Sequence, residues 1–325
     1  MADYQDIRGL RVKYLSADPS NIADGEVWYN STSGTLKTQI VSEAWSSGGN
    51  LNTTRKSNAA AGTKAAAVCM GGNTGAPILD ASEDYDGSTW TTGNPINTAR
   101  YQGAGFGTQT TAVLAGGSPG SNVSTNATEN YDGTNWTSSG SLITPRMAYS
   151  AGGAGTQTAG VVMAGYRNPP SGNVDSVEEY NGASWATNPN AMPSARSGVS
   201  VTGTQGAALA SGGYPAILDT LTYDGSSFTS VGTMPLQKES AMAGGSQTAA
   251  IVAFGSPGAQ SSTVLWDGSA WSSGANGATA RYELGSSSDN SGNDTGLVAA
   301  GATPSPSTAT EEYTRAPAVQ TITTS

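Results

Sequence analysis

The chain has 325 residues and a net charge of −10, and 12% of its residues are charged while 44 are glycine. The negative excess disfavours nucleic acids and anionic membrane surfaces as partners, because both carry negative phosphates. Sparse charge with many turn-forming residues favours an all-β protein of short strands over a helical one.

The chain begins with an acidic segment, and residues 24–37 then form the first predicted element. We expect no secretion signal, because the start lacks an apolar segment. Residues 24–37 read Asp-Gly-Glu-Val-Trp-Tyr-Asn-Ser-Thr-Ser-Gly-Thr-Leu-Lys, which predicts a hairpin of two β-rich arms around a Ser-Thr-Ser-Gly turn. The longest apolar run, residues 65–70, is too short to cross a membrane, so no membrane insertion is expected.

This hairpin is similar to a short element, Gly-x-x-Trp-Tyr-Asn-x-Thr-x-Gly-x-Leu-Lys, near the start of tailed-bacteriophage virion proteins such as fibres and appendages. The resemblance implies that residues 1–40 anchor the chain to other virion proteins, with Trp28 and Tyr29 as anchor residues. The alternative is an ordinary terminal hairpin that caps the following domain.

A repeat of about 45 residues occupies most of the remaining chain. Its aromatic anchors are 43 to 49 residues apart, and a cation follows each of them after ten or eleven residues. Gly-Thr-Gln-Thr-like turns, small apolar strands ending in Gly, and Tyr-Asp-Gly-Ser-x-Trp-like segments recur in the same order. The anchors are Trp45, Trp90, Trp136, Trp185, Phe228 and Trp271, and the cations are Arg55, Arg100, Arg146, Arg196, Lys238 and Arg281.

Each repeat contains four short predicted strands, which is typical of a β-propeller blade. The Asp-Gly pairs at 86–87, 132–133, 224–225 and 267–268, with Asn-Gly at 181–182, predict hairpins with type I′ turns. The last repeat ends near Tyr313 without its outer Trp, whereas Trp45 precedes any complete repeat. We therefore expect residues 41–47 to supply the outer strand of the last blade and to close a ring of six blades.

A Gly-Gly doublet followed by Tyr-Asp, Trp and Arg resembles the kelch-type β-propeller motif over roughly residues 41–315. The spacing of five between Tyr and Trp, and the decay of the doublet to Ala-Gly-Tyr at 164–166, indicate a divergent kelch-like family. The predicted organisation is an anchor of residues 1–40, a propeller of residues 41–315 and a tail of residues 316–325. The tail reads as a loose end or as an extra strand on a neighbour.

The residue types argue against catalysis. The chain has no histidine, which excludes His-containing triads and zinc sites, and Cys69 lies in an apolar strand where a thiol is inert. The carboxylates before the repeat Tyr recur in four units, so pairing with the repeat cations explains them better than glycoside hydrolysis does. An anionic ligand held by the ring of cations, and calcium at residues 289–294, are weaker alternatives. No metal and no cofactor are expected.

Binding is expected on the propeller face that carries the loops after the Gly-Gly doublets, because those loops vary while the opposite turns are constant. The longest of them contains Tyr166, Arg167 and Asn168, a combination suited to polar or glycan recognition. The predicted ligand-binding residues are Tyr166, Arg167, Asn168, Tyr214, Asn73 and Asn122.

The functional hypothesis is a non-enzymatic phage virion protein, located on a tail or head appendage. It would contact a host-surface glycan or protein, or only decorate the particle. The alternatives are a cellular kelch-like adaptor for partner proteins and, third, a glycan-active enzyme. The resemblance also implies a homo-oligomer, since trimers are usual among phage appendages.

Overall fold

The computed structural model describes residues 12–20, 22–149, 152–287 and 292–323. Every regular element in these ranges is a β strand, and the described part of the chain holds no helix that could cross a membrane. The chain forms two compact units. One is Ala44–Thr314, and the other combines the residues up to Glu43 with those from Arg315 onward. Strands are numbered β1 to β28 in chain order.

The larger unit is a β-propeller of six four-stranded antiparallel sheets. The strands of each blade are given from the inside outward. Blade 1 consists of β4 (Ala59–Thr63), β5 (Ala66–Met70), β6 (Ser82–Tyr85) and β7 (Trp90–Thr92), and blade 2 of β8 (Ala104–Thr108), β9 (Thr111–Ala115), β10 (Thr128–Tyr131) and β11 (Trp136–Ser139). Blade 3 consists of β12 (Gly153–Thr156), β13 (Ala159–Met163), β16 (Val177–Tyr180) and β17 (Trp185–Thr187), blade 4 of β18 (Ser200–Thr204), β19 (Ala207–Ser211), β20 (Asp219–Tyr223) and β21 (Phe228–Thr233), and blade 5 of β22 (Met242–Gly245), β23 (Ala250–Ala253), β24 (Thr263–Trp266) and β25 (Trp271–Gly274). Blade 3 also carries a small hairpin of β14 (Tyr166–Arg167) and β15 (Gly172–Asn173).

The sixth blade joins the two ends of the propeller's sequence. From the inside outward it consists of β26 (Gly285–Ser287), β27 (Thr295–Ala299), β28 (Thr310–Thr321) and β3 (Thr35–Ser47). The Gly48 backbone N–H donates to the Thr310 carbonyl at 3.0 Å, and the Trp45 ring lies 5.2 Å from the Tyr313 ring. The inner strands contact one another in a closed cycle, β4, β8, β12, β18, β22, β26 and β4 again. The predicted six-bladed propeller, closed by a strand near Trp45, is confirmed.

The Asp-Gly turns differ from their prediction. The turn after β6 is a four-residue loop in which Gly87 has a φ of +91° but Asp86 does not have a positive φ. The Asp86 carboxylate instead accepts the backbone N–H groups of Ser88 and Thr89 at 2.8 and 2.7 Å. This side-chain cap replaces the type I′ geometry, and the prediction of that turn type was wrong.

Aromatic side chains hold each blade together and bind it to the preceding one. Tyr and Trp face each other across the two outer strands, as in Tyr85 and Trp90 with ring centroids 4.8 Å apart. In four of the six blades the Trp indole N–H also donates to a Thr hydroxyl of the preceding blade, at 2.8 to 3.0 Å. These pairs are Trp90 with Thr310, Trp185 with Thr128, Trp271 with Thr220 and Trp45 with Thr263.

The Gln of the Gly-Thr-Gln-Thr turn is a second clamp between blades. The amide group of Gln109 donates to the carbonyls of Ala67 and Tyr85 in the preceding blade, at 3.2 and 2.7 Å. Gln157, Gln205 and Gln247 repeat this arrangement. These backbone carbonyls at the strand ends are thereby satisfied, which explains why the turn sequence recurs.

The smaller unit is a sheet in which β1 (Lys13–Leu15), β2 (Val27–Asn30), β3 and β28 are neighbours in that order. Residues 315–321 form the end of β28, so the first part of the predicted tail of residues 316–325 extends a strand of the chain's own N-terminal sheet. The Ile322 backbone N–H also donates to the Leu36 carbonyl at 2.8 Å.

Trp28 is fully buried in this smaller unit, and its indole N–H donates to the Asp18 carboxylate at 3.0 Å. Tyr29 stacks on Tyr14, which is 74% exposed, with ring centroids 5.0 Å apart. Of the two predicted anchor residues, Trp28 therefore serves the core of the unit. Tyr29 belongs to a tyrosine pair at its surface.

Candidate functional site

The repeat cations are buried inside the blades. Each of the five arginine side chains forms an ion pair with a carboxylate of its own blade, and each guanidinium is fully buried. The pairs are Arg55 with Glu83, Arg100 with Glu129, Arg146 with Glu178, Arg196 with Asp219 and Arg281 with Glu311. Asp219 is an acid that the repeat pattern did not predict, because it lies two residues before the usual position.

Lys238 replaces the arginine in blade 5 and has no carboxylate partner in the described residues. Its Nζ donates instead to the carbonyls of Phe254 and Ser262, and to the Gln260 side chain, at 2.8 to 3.0 Å. Burial lowers the pKa of Lys238 to about 7. All six cations are thus enclosed, and none of them lies open to an anionic ligand.

The acids directly before the repeat Tyr have a separate role. Tyr85 donates its hydroxyl to Glu312 at 2.5 Å, and Tyr131 donates to Asp84 at 3.0 Å, in each case across a blade boundary. Tyr223 contacts Glu179 in the same way at 2.5 Å. The two adjacent acids of a repeat therefore have different partners. One pairs with the cation of its own blade, and the other accepts the Tyr hydroxyl of the next blade.

The central channel itself is too narrow for a ligand. Small residues of the inner strands bring the strands close together, and the cavity between them measures about 40 Å³. At Gly105 a Cβ atom would lie 2.6 Å from the Ala60 carbonyl oxygen, so only glycine fits there. A ligand on the propeller axis must bind at the mouth of the channel.

One turn of backbone from each blade borders this mouth, on the face of the variable loops. In each blade a residue that follows the repeat cation has a φ between +49° and +61°. These residues are Ser57, Gln102, Tyr149, Gly198, Ser240 and Glu283. Backbone hydrogen bonds link several of them, including Ser57 N–H to the Glu283 carbonyl at 2.6 Å and Gln102 N–H to the Ser57 carbonyl at 2.7 Å.

A chamber of about 410 Å³ opens at one side of the mouth. Three tyrosines, two glutamates, and serines and glycines of the loops line it. This volume is in the range of small-molecule binding sites. The side chains that matter for its chemistry are Tyr149, Tyr214, Tyr282, Glu239 and Glu283.

The chamber is electrostatically negative. Burial, followed by the nearby charge of Glu283, raises the pKa of Tyr149 to about 12. Burial also raises the pKa of Glu239. Glu283 accepts the Ser57 hydroxyl at 2.7 Å and pairs with Lys56 at 3.0 Å. Both tyrosine hydroxyls and carboxylates are thus available for hydrogen bonds with a polar ligand.

A second cavity of about 310 Å³ adjoins the chamber at Glu283, which lines both. Lys56, Asn73, Tyr101 and Gln102 are among its other lining residues. Gln102 is only 8% exposed, and its Oε1 atom has no hydrogen-bond partner among the described residues. The mouth of the channel therefore offers two compartments that share Glu283 as a lining residue.

The structure disperses the six ligand-binding residues predicted from sequence. Tyr214, which is 55% exposed, lines the chamber, and Asn73 lines the second cavity. Asn168 donates to the Asn122 carbonyl at 2.7 Å, so these two residues connect neighbouring loops. Tyr166 and Arg167 form β14 and are half-buried.

Tyr149, Tyr282, Glu239 and Glu283 were not among the predicted binding residues, because they lie outside the loops after the Gly-Gly doublets, where binding was expected. A signal was present in blade 3, where Arg146 and Gly155 are nine residues apart instead of the usual seven. This two-residue insertion accompanies Tyr149 at the channel mouth.

The described residues contain neither a cluster of metal-ligating side chains nor a reactive thiol. No group of three or more His, Cys, Asp or Glu side chains there is placed to hold a metal ion. Half of the calcium alternative of residues 289–294, namely residues 289–291, lies outside the described residues. Cys69 is fully buried, and burial raises the pKa of its thiol to about 11, so it is not a nucleophile at neutral pH.

Comparison with protein-family models and with curated proteins found no match to this chain.

Proposed function

We propose that this protein is a non-enzymatic attachment protein that binds a host-surface glycan at the mouth of its propeller channel. The observation that carries the proposal is the chamber of about 410 Å³ lined by Tyr149, Tyr214 and Tyr282. Tyrosine rings provide flat apolar surfaces for sugar rings, their hydroxyls donate and accept hydrogen bonds, and the neighbouring carboxylates accept them.

The propeller itself is suited to display such a site. Its ion pairs and aromatic pairs recur from blade to blade, so they explain the ring and not a ligand. The loops at the channel mouth differ between blades and are held by that rigid ring, as binding loops commonly are.

We further propose that the chain is a component of a tailed-bacteriophage virion, with a divergent kelch-like propeller on a tail or head appendage. This part rests on the resemblance of residues 24–37 to the start of phage fibres and appendages. Purified phage particles from a strain that encodes the chain should contain it by mass spectrometry. Its absence from intact particles would favour the cellular adaptor.

Glycan binding is tested with the full chain on an array of bacterial surface polysaccharides. Tyr214→Ala removes an exposed chamber ring and should weaken binding about tenfold or more, a loss of about 1.4 kcal/mol. Tyr14→Ala is the matched control, because Tyr14 is exposed in the smaller unit. It should leave binding unchanged.

Two outcomes would contradict the proposal. Particle association without binding to any polysaccharide would reduce the function to decoration. Release of new reducing ends from a bound polysaccharide would indicate a glycan-active enzyme instead.

A further inference from the structure

The two compartments at the channel mouth are rich in hydrogen-bond acceptors. Glu239 and Glu283 line the chamber, and Glu283 also borders the second cavity. Gln102, which is nine-tenths buried, lines that second cavity, and its Oε1 has no hydrogen-bond partner among the described residues. A buried acceptor without a donor is unfavourable, so a ligand that donates hydrogen bonds to this side chain would stabilise it.

The charges of the site point in the same direction. Among the described residues that line the two cavities, Lys56 is the single cation, and its Nζ lies 3.0 Å from a Glu283 carboxylate oxygen. Two carboxylates thus face one ammonium group, and the site retains negative charge. An anionic sugar would be repelled, whereas a cation would be attracted.

The three tyrosines add an interaction that is specific for cations. An ammonium group over the face of an aromatic ring is attracted by the negative charge of the ring face, and the attraction is stronger when the site is shielded from water. Tyr149 and Tyr282 are half-buried, and Tyr214, which is 55% exposed, also lines the chamber. Aromatic rings combined with carboxylates are the usual composition of a site for a protonated amine.

We propose that the channel mouth binds a protonated amine, and that the glycan it recognises carries amino sugars whose amines are not acetylated. This inference rests on the proposed glycan binding and names its ligand class. Glu239 and Glu283 would pair with the ammonium group, the tyrosines would pack against the sugar rings, and the Gln102 Oε1 would accept a further N–H or O–H.

The test compares two probes of equal length, a glucosamine tetrasaccharide with free amines and its fully N-acetylated counterpart. Binding to the full chain is measured by calorimetry at a pH at which the free amines are protonated. We expect at least a tenfold preference for the free amine, and this preference should shrink as salt is raised.

Four variants locate the effect. Glu239→Gln and Glu283→Gln keep the side-chain shape and should abolish the preference. Asp80→Asn removes the same charge from an exposed position outside both cavities and should leave the preference intact. Lys56→Met should strengthen amine binding, because it releases the Glu283 carboxylate, whereas a purely structural role of Lys56 would predict weaker binding.

Equal affinity for the two tetrasaccharides, or a preference for the acetylated one, would overturn the amine inference and leave glycan binding in place. Binding of neither would also overturn it. The polysaccharide array decides separately whether the protein binds glycans at all, so the two failures can be told apart.

Discussion

The two ends of the propeller axis are built from different kinds of residue. On the turn face, the same elements recur at nearly constant spacing. The Gln109 clamp is repeated in blades 2 to 5, and the Asp86 cap, with Asn181 in blade 3, is repeated in blades 1 to 5. On the loop face, Tyr149, Glu239 and Glu283 have no equivalents of the same type in the other blades. Repetition therefore marks the residues that build the ring, and irregularity marks the residues that are free to bind.

The same contrast holds between individual glutamates. Glu178 is fully buried and accepts the Arg146 guanidinium and the backbone N–H groups of Ile143 and Thr144. Glu239 lines an open chamber and has no cation in its blade to neutralise it except the enclosed Lys238. The Glu178 carboxylate therefore stabilises the fold, whereas the Glu239 carboxylate contributes no such stabilising ion pair.

The largest expected effect comes from exchanging these two carboxylates for amides. Glu178→Gln leaves the buried Arg146 charge without its counter-ion, so the free energy of unfolding should fall by about 3–5 kcal/mol. Glu239→Gln should change it by no more than about 0.5 kcal/mol. Urea denaturation of both variants measures the difference. Similar losses of unfolding free energy in the two variants would contradict the distinction between the scaffold carboxylate and the loop-face carboxylate.

A smaller effect is expected where blades meet through Trp and Thr. Thr128→Val leaves the buried Trp185 indole N–H without an acceptor and should cost about 1–3 kcal/mol. Blade 4 shows the natural solution, because Phe228 occupies the Trp position there and Val177 of the preceding blade occupies the Thr position. The double variant Thr128→Val with Trp185→Phe should therefore lose less than the sum of the two single variants.

Trp136 provides the control for this cycle. Its indole N–H is buried but has no partner among the described residues. Trp136→Phe should consequently cost less than Trp185→Phe by about the worth of one hydrogen bond, about 1 kcal/mol. Equal losses at the two positions would show that packing alone, and not the Trp–Thr hydrogen bond, joins the blades.

Most of the ring could be predicted from sequence because each blade of a propeller repeats the same sequence pattern. The position of Trp45 before any complete repeat was enough to predict ring closure, and recurrence assigned the arginines to the scaffold. The partner of Arg196 was missed because Asp219 is displaced along β20, and spacing cannot show that a carboxylate reaches back to the same guanidinium.

The candidate site was harder to predict from sequence than the ring, for a physical reason. Its residues come from blades 3 to 6 and meet only because six inner strands converge on one axis. A single sequence shows which residues break the repeat, but not which of the breaks face each other. Tyr214 was predicted as a binding residue, whereas its neighbours Tyr282 and Glu239 directly follow the repeat cations and lie outside the loops after the Gly-Gly doublets, where binding was expected.

The smallest predicted effect concerns the turn face at acid pH. Two backbone N–H groups, of Ser227 and Ser226, lower the pKa of Asp224 to about 2, because they bind its ionised form. A carboxylate whose pKa is lowered by folding stabilises the protein above its unfolded value, near 3.9. This contribution is lost as the pH falls from there toward 2.

Blade 3 carries the natural counterpart, since Asn181 accepts the same two turn N–H groups without a titratable charge. Asp224→Asn should therefore lower stability at pH 7 but converge with the wild type near pH 2. Asn181→Asp should do the reverse, gaining stability at neutral pH and losing the gain in acid. Thermal unfolding across this pH range measures both curves. Parallel curves would mean that the turn carboxylates stabilise the face only through geometry that an amide reproduces, and not through charge.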